Sequence, residues 1–259
     1  MTAAATSPSA RPGRFGRAIV VGASSGIGAA IARRLAAGGT AVALVGRREA
    51  ELESVARAIR TAGGRALVAR HDVTDYAEVP ATFERLVSEL GGLDLIVYAA
   101  GIMHVPEEGE YDFAKDRAMI EVNLLGAMAW LNLAAARFEA RRGGTIVGIS
   151  SIAGERGRRS MPGYTTSKAA LTAWLEALRN RVSRHGVNVV TVKPGFVDTV
   201  MTRHLARKPM IISAERAADL ILEAARRGGS PSTFVPGRWG LVAFVLRHIP
   251  SFLFRKLDL

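Results

Sequence analysis

Apolar residues along this chain come in two alternating textures. Short unbroken runs such as Ala18-Ile19-Val20-Val21, Leu95-Ile96-Val97 and Thr145-Ile146-Val147 are separated by longer stretches where apolar residues recur every three or four positions. An unbroken run leaves no polar face, which predicts strands buried on both sides and hence a parallel sheet. Strands are expected at 17–22, 41–46, 65–70, 93–98, 144–150, 187–193 and 232–236. The longer stretches predict helices at about 24–37, 48–62, 75–90, 111–141, 162–185 and 213–227. Several end in glycine pairs (Gly38-Gly39, Gly63-Gly64, Gly91-Gly92, Gly143-Gly144), as helix C-termini prefer. This alternation implies an α/β fold, a doubly wound, seven-stranded and mainly parallel sheet with helices on both faces. A single domain over 17–238 accounts for it, with no internal repeat and no second domain.

The first strand runs directly into Gly22-Ala23-Ser24-Ser25-Gly26-Ile27-Gly28, which opens a helical pattern. Strand, glycine-rich turn and helix N-terminus in that order form a dinucleotide-binding unit. Glycine lets the backbone approach a pyrophosphate, and the free amides and helix dipole favour its charge. Alone, such a turn is a weak signal.

Near the other end, Tyr164 and Lys168 stand four residues apart at the head of a helical run, on one face and about one turn apart. An ammonium placed there can hold a phenol closer to ionisation. Both types are scarce: four tyrosines in all, and five lysines (Lys115, Lys168, Lys193, Lys208, Lys256) among 35 basic residues. Duller readings exist for each residue, a core-capping phenol and a solvated amine among them.

Taken together these features resemble the short-chain dehydrogenase/reductase family over roughly 17–236, with a Rossmann-type fold. The G-x-x-x-G-x-G turn is Gly22, Gly26 and Gly28, with Ser24, Ser25 and Ile27 inside it. The resemblance implies that Asp72, followed by Val73, caps the adenine. It likewise implies a tetrad of Asn123, Ser151, Tyr164 and Lys168; Ser151 is taken over Ser150 on its spacing of thirteen from the tyrosine. Pro194-Gly195, with Val197 and Thr199 beyond, matches the segment that binds the nicotinamide end. The usual Asn-Asn-Ala-Gly after the fourth strand is here Tyr98-Ala99-Ala100-Gly101, so Ala99 makes no amide side-chain bond, although backbone contacts to cofactor at Ala99, Ala100 and Gly101 stay available. Tyr98 is then either a buried strand residue or a wall of the substrate site.

The activity implied is hydride transfer between a nicotinamide cofactor and a carbonyl or secondary alcohol. Tyrosine ionises near 10, so a phenol acting as acid/base needs its anion stabilised, here by Lys168 and the oxidised nicotinamide. Ser151 would orient the substrate oxygen and Asn123 hold a relay water, as the family implies. Where NAD-selective folds carry an acid after the second strand, this chain reads Gly46-Arg47-Arg48. An acid would repel a 2′-phosphate, whereas a guanidinium binds it bidentately, so NADP(H) is the expected cofactor. Two water-facing arginines at a helix start are the alternative.

Composition trims the remaining options. A net charge of +12 invites a nucleic-acid reading, but the arginines are spread over several helices, so no nucleic-acid role is expected. Without cysteine there is no disulfide and no thiolate metal site; no metal is expected, and a cytoplasmic location fits. Residues 1–16 lack a signal-type apolar core and read as a disordered arm. No 18-residue uncharged apolar stretch is present, so no segment is expected to span a bilayer.

From Val200 to Ile212, Met201, Leu205, Met210, Ile211 and Ile212 mix with Arg203, His204, Arg207 and Lys208, which fits either an apolar substrate bearing an anionic group or a solvated lid. His104 reads as a loop residue. The tail, 239–259, is apolar and basic; it either docks on protein or makes peripheral membrane contact. A homo-oligomer, dimer or tetramer, is expected from the resemblance. Two rival functions remain open: a non-catalytic NADP(H)-binding sensor or interaction protein, and epimerase chemistry on a nucleotide sugar, for which the short C-terminal portion leaves little room.

Overall fold

The structure, a computed structural model, describes residues 15–203, 205, 208–228 and 232–257. Most of the arm expected over 1–16, together with His204 and Arg207, lies outside the described residues. Strands and helices alternate as β1 (Arg17–Val21), α1 (Gly26–Ala37), β2 (Ala41–Gly46), α2 (Glu49–Thr61), β3 (Ala66–Arg70), α3 (Val79–Leu90) and β4 (Leu95–Tyr98). They continue with α4 (Phe113–Ile120), α5 (Gly126–Ala140), β5 (Gly144–Ile149), α6 (Pro162–Val182), β6 (Val187–Pro194), β7 (Val197–Asp198), β8 (Ile212–Ser213) and α7 (Ala214–Arg227). β9 (Ser232–Val235), α8 (Trp239–His248) and α9 (Ser251–Phe254) complete the described chain.

Among the described residues the main sheet has seven strands in the order β3-β2-β1-β4-β5-β6-β9, and its pairings are parallel. β1 shows why its sequence is apolar throughout. Ala18 and Val20 join a core with α1 and α7 on one face, while Ile19 and Val21 join Phe83, Trp130 and Leu131 on the other. The strand order reverses between β1 and β4, so a crevice opens at their carboxyl ends.

Boundaries moved where local chemistry outran periodicity. The helix expected from 24 starts at Gly26 because 22–25 is the turn itself, and the one expected from 75 starts at Val79, with Pro80 in its first turn. The pattern expected over 162–185 ends as a helix at Val182 and tightens into one 3₁₀ turn, Ser183–His185. The stretch expected over 111–141 is α4 and α5 joined by a π-helical turn, Glu121–Leu125. A π turn frees a carbonyl, and here Val122 O accepts the phenolic hydroxyl of Tyr98 at 2.6 Å. Tyr98 is wholly buried, so the first of its two readings holds. A side chain at Gly126 would strike that hydroxyl, which ties the glycine to the tyrosine. The run Phe113–Ala140 is long and apolar enough by composition to cross a membrane, but Trp130, Leu131, Ala134 and Phe138 are spent in the core.

The tail is docked on the body, at least along its inner side. Trp239 is buried, its ring edge-on to Phe196 at 5.8 Å and against Gly195. Arg247 pairs with Glu155, whose other oxygen holds Lys193 at 2.7 Å, and both Glu155 and Lys193 are almost fully buried. Arg156 donates to Leu246 O at 2.7 Å and to Ile249 O, and its guanidinium lies 4.1 Å from the Phe254 ring centroid. Removing one member of a buried pair leaves the other charge unmatched. Glu155→Ala should therefore lower stability by about 3 kcal/mol in urea titrations, and Glu155→Met with Lys193→Met should recover most of that loss.

Candidate active site

The glycine turn crosses the crevice because its backbone has no alternative. Gly22 has φ +88°, and a side chain there would collide with the backbone of Ala99 and Ala100 on β4's exit loop. Gly22 and Ala23 both donate to Val45 O, fastening the turn to the end of β2. The space above it is a cleft of about 530 Å³. Its walls include Gly22, Ser24, Ser25, Gly26, Ile27, Gly28, Arg47, Arg48, Val73, Ala99, Ala100 and Gly101 from the first half of the chain. From the second half come Ser151, Tyr164, Lys168, Pro194, Gly195, Val197 and Thr199. The turn and the tyrosine–lysine pair thus meet in one cavity, as a site for dinucleotide and substrate together would require.

Two residues expected at the site do not face it in this way. Asn123 is fully buried in the π turn. Its side-chain oxygen accepts from Ile102 N at 2.8 Å, and its amide nitrogen donates to Ile102 O at 3.0 Å and Ser167 Oγ at 2.9 Å. Both amide donors are spent on clamping the β4 exit loop to α6. Asp72 turns beside the cleft, accepting from the Thr74 amide at 3.0 Å and hydroxyl at 2.8 Å, with Arg47 at 3.6 Å. Burial pushes its carboxyl up, but the two Thr74 hydrogen bonds and the Arg47 charge together bring it below the usual value.

Arg48 reaches the glycine turn itself, donating to Ser24 Oγ at 2.8 Å and Ser25 Oγ at 2.7 Å. Together Arg47 and Arg48 bring two guanidinium groups to the end of β2. The carboxylates paired with them are Asp72, on the neighbouring loop, and Glu51, one turn into α2. The strand end itself carries none.

The chemical centre lies at the start of α6. Tyr164 is buried among Met119 and Ala153, with Ile102, Met103 and Met161 packed round it. Burial raises its pKa; a hydrogen bond from the Ser151 hydroxyl and the charge of Arg158 oppose that rise. Ser151 also accepts from Ala153 N at 3.0 Å, which caps the 3₁₀ turn Ile152–Glu155. Ser150, the spacing's rejected neighbour, is tied instead to Lys168 O at 2.9 Å and Thr172 Oγ1 at 2.7 Å. Lys168 is buried too, and desolvation lowers its pKa to about 8. Its ammonium donates to Ile149 O at 2.9 Å and stands 5.9 Å from the Tyr164 ring centroid.

Sequence reasoning passed over several contributors. Arg158 gave no signal, being one arginine among many, yet it is a charge felt by the phenol. Glu155, Lys193 and Trp239 brace the Ser151 and Gly195 segments from behind, through contacts no local pattern reveals. His104, read as a loop residue, lines the cleft, as do Ile102, Met103 and Met201.

The short chain dehydrogenase family model matches residues 17–209. A cis-4-hydroxycyclohexanecarboxylate dehydrogenase of Sinomonas cyclohexanicum is 38% identical over 202 residues, 78% of this chain and 80% of its own length. Ketoacyl reductase HetN of a Nostoc species is 32% identical over 213 residues, covering 80% of this chain and 74% of the other. Among solved structures, a short-chain type dehydrogenase/reductase from Mycobacterium marinum superposes with a TM-score of 0.79 at 29% identity, over 86% of this chain and 94% of that one. A shared fold, the glycine turn, and a buried serine, tyrosine and lysine in one cleft agree with these matches. The chain belongs to the short-chain dehydrogenase/reductase family, oxidoreductases that use a nicotinamide cofactor.

Proposed function

We propose that this oxidoreductase is NADP(H)-dependent and interconverts a carbonyl and a secondary alcohol on an apolar substrate. The observation that carries the reading is that Ser151, Tyr164 and Lys168 line the same cleft as the glycine turn and Pro194-Gly195. A purely sensory nucleotide site has no use for a buried serine, phenol and ammonium, whose desolvation the fold must bear.

The residues fit the cofactor. Gly22 keeps the turn open for a pyrophosphate, while Arg47 and Arg48 stand where the adenosine ribose is gripped in this fold. When bound, the nicotinamide supplies or accepts the hydride. Tyr164 gives its proton to the substrate oxygen in reduction and removes it in oxidation. When substrate binds, the single Ser151 hydroxyl proton turns from the Tyr164 oxygen to the substrate oxygen and so fixes its position. Lys168 brings positive charge near the phenol and keeps donors for a ribose hydroxyl, one being committed to Ile149 O. Asn123 is a positioning residue that holds the Ile102 loop against α6. Met103, Met119 and Met161 around the phenol make an adaptable apolar wall, which supports an apolar substrate. The hydroxylated ring acid named for the Sinomonas relative is chemistry such a wall could take, with Arg203 and Lys208 nearby in sequence for a carboxylate.

Tyr164→Phe should cut turnover roughly 10³-fold while NADPH titrations stay unchanged, and equal turnover in mutant and parent would rule out the assignment. Arg47→Ala with Arg48→Ala should weaken NADPH binding about tenfold or more and leave NADH binding alone. Tighter NADH than NADPH binding in the parent, indifferent to both substitutions, overturns the cofactor choice. Reduction needs the phenol protonated, so kcat/KM in that direction holds at low pH and falls as pH rises through the Tyr164 pKa. Arg158 lowers that pKa, so Arg158→Gln should move the fall to higher pH in pH–rate profiles, and an unmoved profile would remove Arg158 from the account.

A further inference from the structure

α8 turns the wrong kind of face to water. Leu241, Phe244, Val245 and His248 follow one another at i, i+3, i+4 and i+7, and the three apolar members are 72%, 61% and 51% exposed. The opposite face buries Trp239 and Ala243. Beyond Pro250 the exposed apolar surface resumes with Phe252, Leu253 and Leu257. A continuous apolar stripe of this kind on the outside of a helix marks a surface that meets something other than water.

We propose that the α8–α9 surface docks on an anionic lipid bilayer. Charge selects that occupant. From Gly237 onward the sequence has one acidic side chain, Asp258, against four cationic ones, Arg238, Arg247, Arg255 and Lys256, within a chain of net charge +12. A second copy meeting this face across a two-fold axis would set these cations against themselves. Anionic headgroups complement them, and each cation near such a surface adds to the attraction. Ten residues of α8 are too few to span a bilayer, so the helix would lie in the interface, its apolar stripe inward.

The surface is also held in shape before any encounter. Arg156 fastens the break between the two helices through Leu246 O, Ile249 O and Ser251 Oγ, and covers the inner side of Phe254. Glu155 neutralises Arg247 from within, which leaves Arg255 and Lys256 for the headgroups. Binding therefore need not order this segment, a cost that disordered membrane tails bear on contact. The surface stands apart from the catalytic reading and survives its failure.

Flotation of the full chain with phosphatidylcholine vesicles, with and without an equal share of phosphatidylglycerol, tests this. Binding should be at least about tenfold greater with phosphatidylglycerol and should fall at high salt. Phe244→Glu with Phe252→Glu should abolish flotation while circular dichroism and the thermal unfolding midpoint match the parent. Arg255→Gln with Lys256→Gln should weaken it about tenfold or more. Failure of the parent to float with anionic vesicles overturns the proposal, as does undiminished flotation of the Phe244→Glu, Phe252→Glu variant. So does a parent oligomer that Phe244→Glu converts to monomer without vesicle binding, which assigns the face to a second copy.

Discussion

A buried ammonium with no carboxylate beside it sets the terms for the site. Lys168 is 4% exposed, and among the described contacts its ammonium donates a hydrogen bond to the Ile149 carbonyl. Desolvation brings its pKa from 10.5 to about 8, so below about pH 8 the fold carries a charge it would rather shed. That cost weighs fully on stability there and is relieved as pH climbs toward 10.5, where the unfolded chain also loses the proton. The expense falls at the end of β5, where apolar cores on both faces of the sheet supply the offsetting stability. It leaves a cation with spare donors at the place where substrate and ribose oxygens would meet.

The phenol is tuned by more than its partner on the helix. Around Tyr164 burial works against ionisation, and the forces opposing it come from Ser151 and Arg158. Lys168, with its own pKa near 8, is losing its charge by the pH at which an unassisted phenol begins to ionise. The pair one turn apart is thus half of a four-residue arrangement. Its other half comes from the segment between β5 and α6.

That segment also carries the joint with the tail. Glu155 ends the 3₁₀ turn that Ser151 begins, pairs with Lys193 just before Pro194-Gly195, and holds Arg247 on α8. The Ser151 turn, the strand leading into Pro194-Gly195 and the C-terminal helix therefore share one buried carboxylate. The tail has two faces: an inner one packed behind the cleft and an outer one whose apolar stripe is exposed among the described residues.

Much of this was legible in the chain because it is local. Unbroken runs such as Leu95-Ile96-Val97 can be satisfied only between two layers of helix, so they determined a parallel sheet. Gly22 to Gly28 and Tyr164 with Lys168 are constraints within a few residues of backbone, and their occurrence together in one chain brings out their chemistry. The π turn at Glu121–Leu125 was hidden because one extra residue leaves the apolar stripe of a long helix nearly undisturbed. Tyr98 with Gly126, Arg48 with Ser24 and Ser25, and Arg156 with the α8 carbonyl ninety residues away depend on which elements the fold lays side by side. Arg158 belongs with them, since an arginine becomes a tuner of a phenol only when burial removes the water that would screen it. Sequence determined the layers and the reactive groups; tertiary structure decided which charges face one another in low dielectric, because Coulomb interactions follow distance in space and not position along the chain.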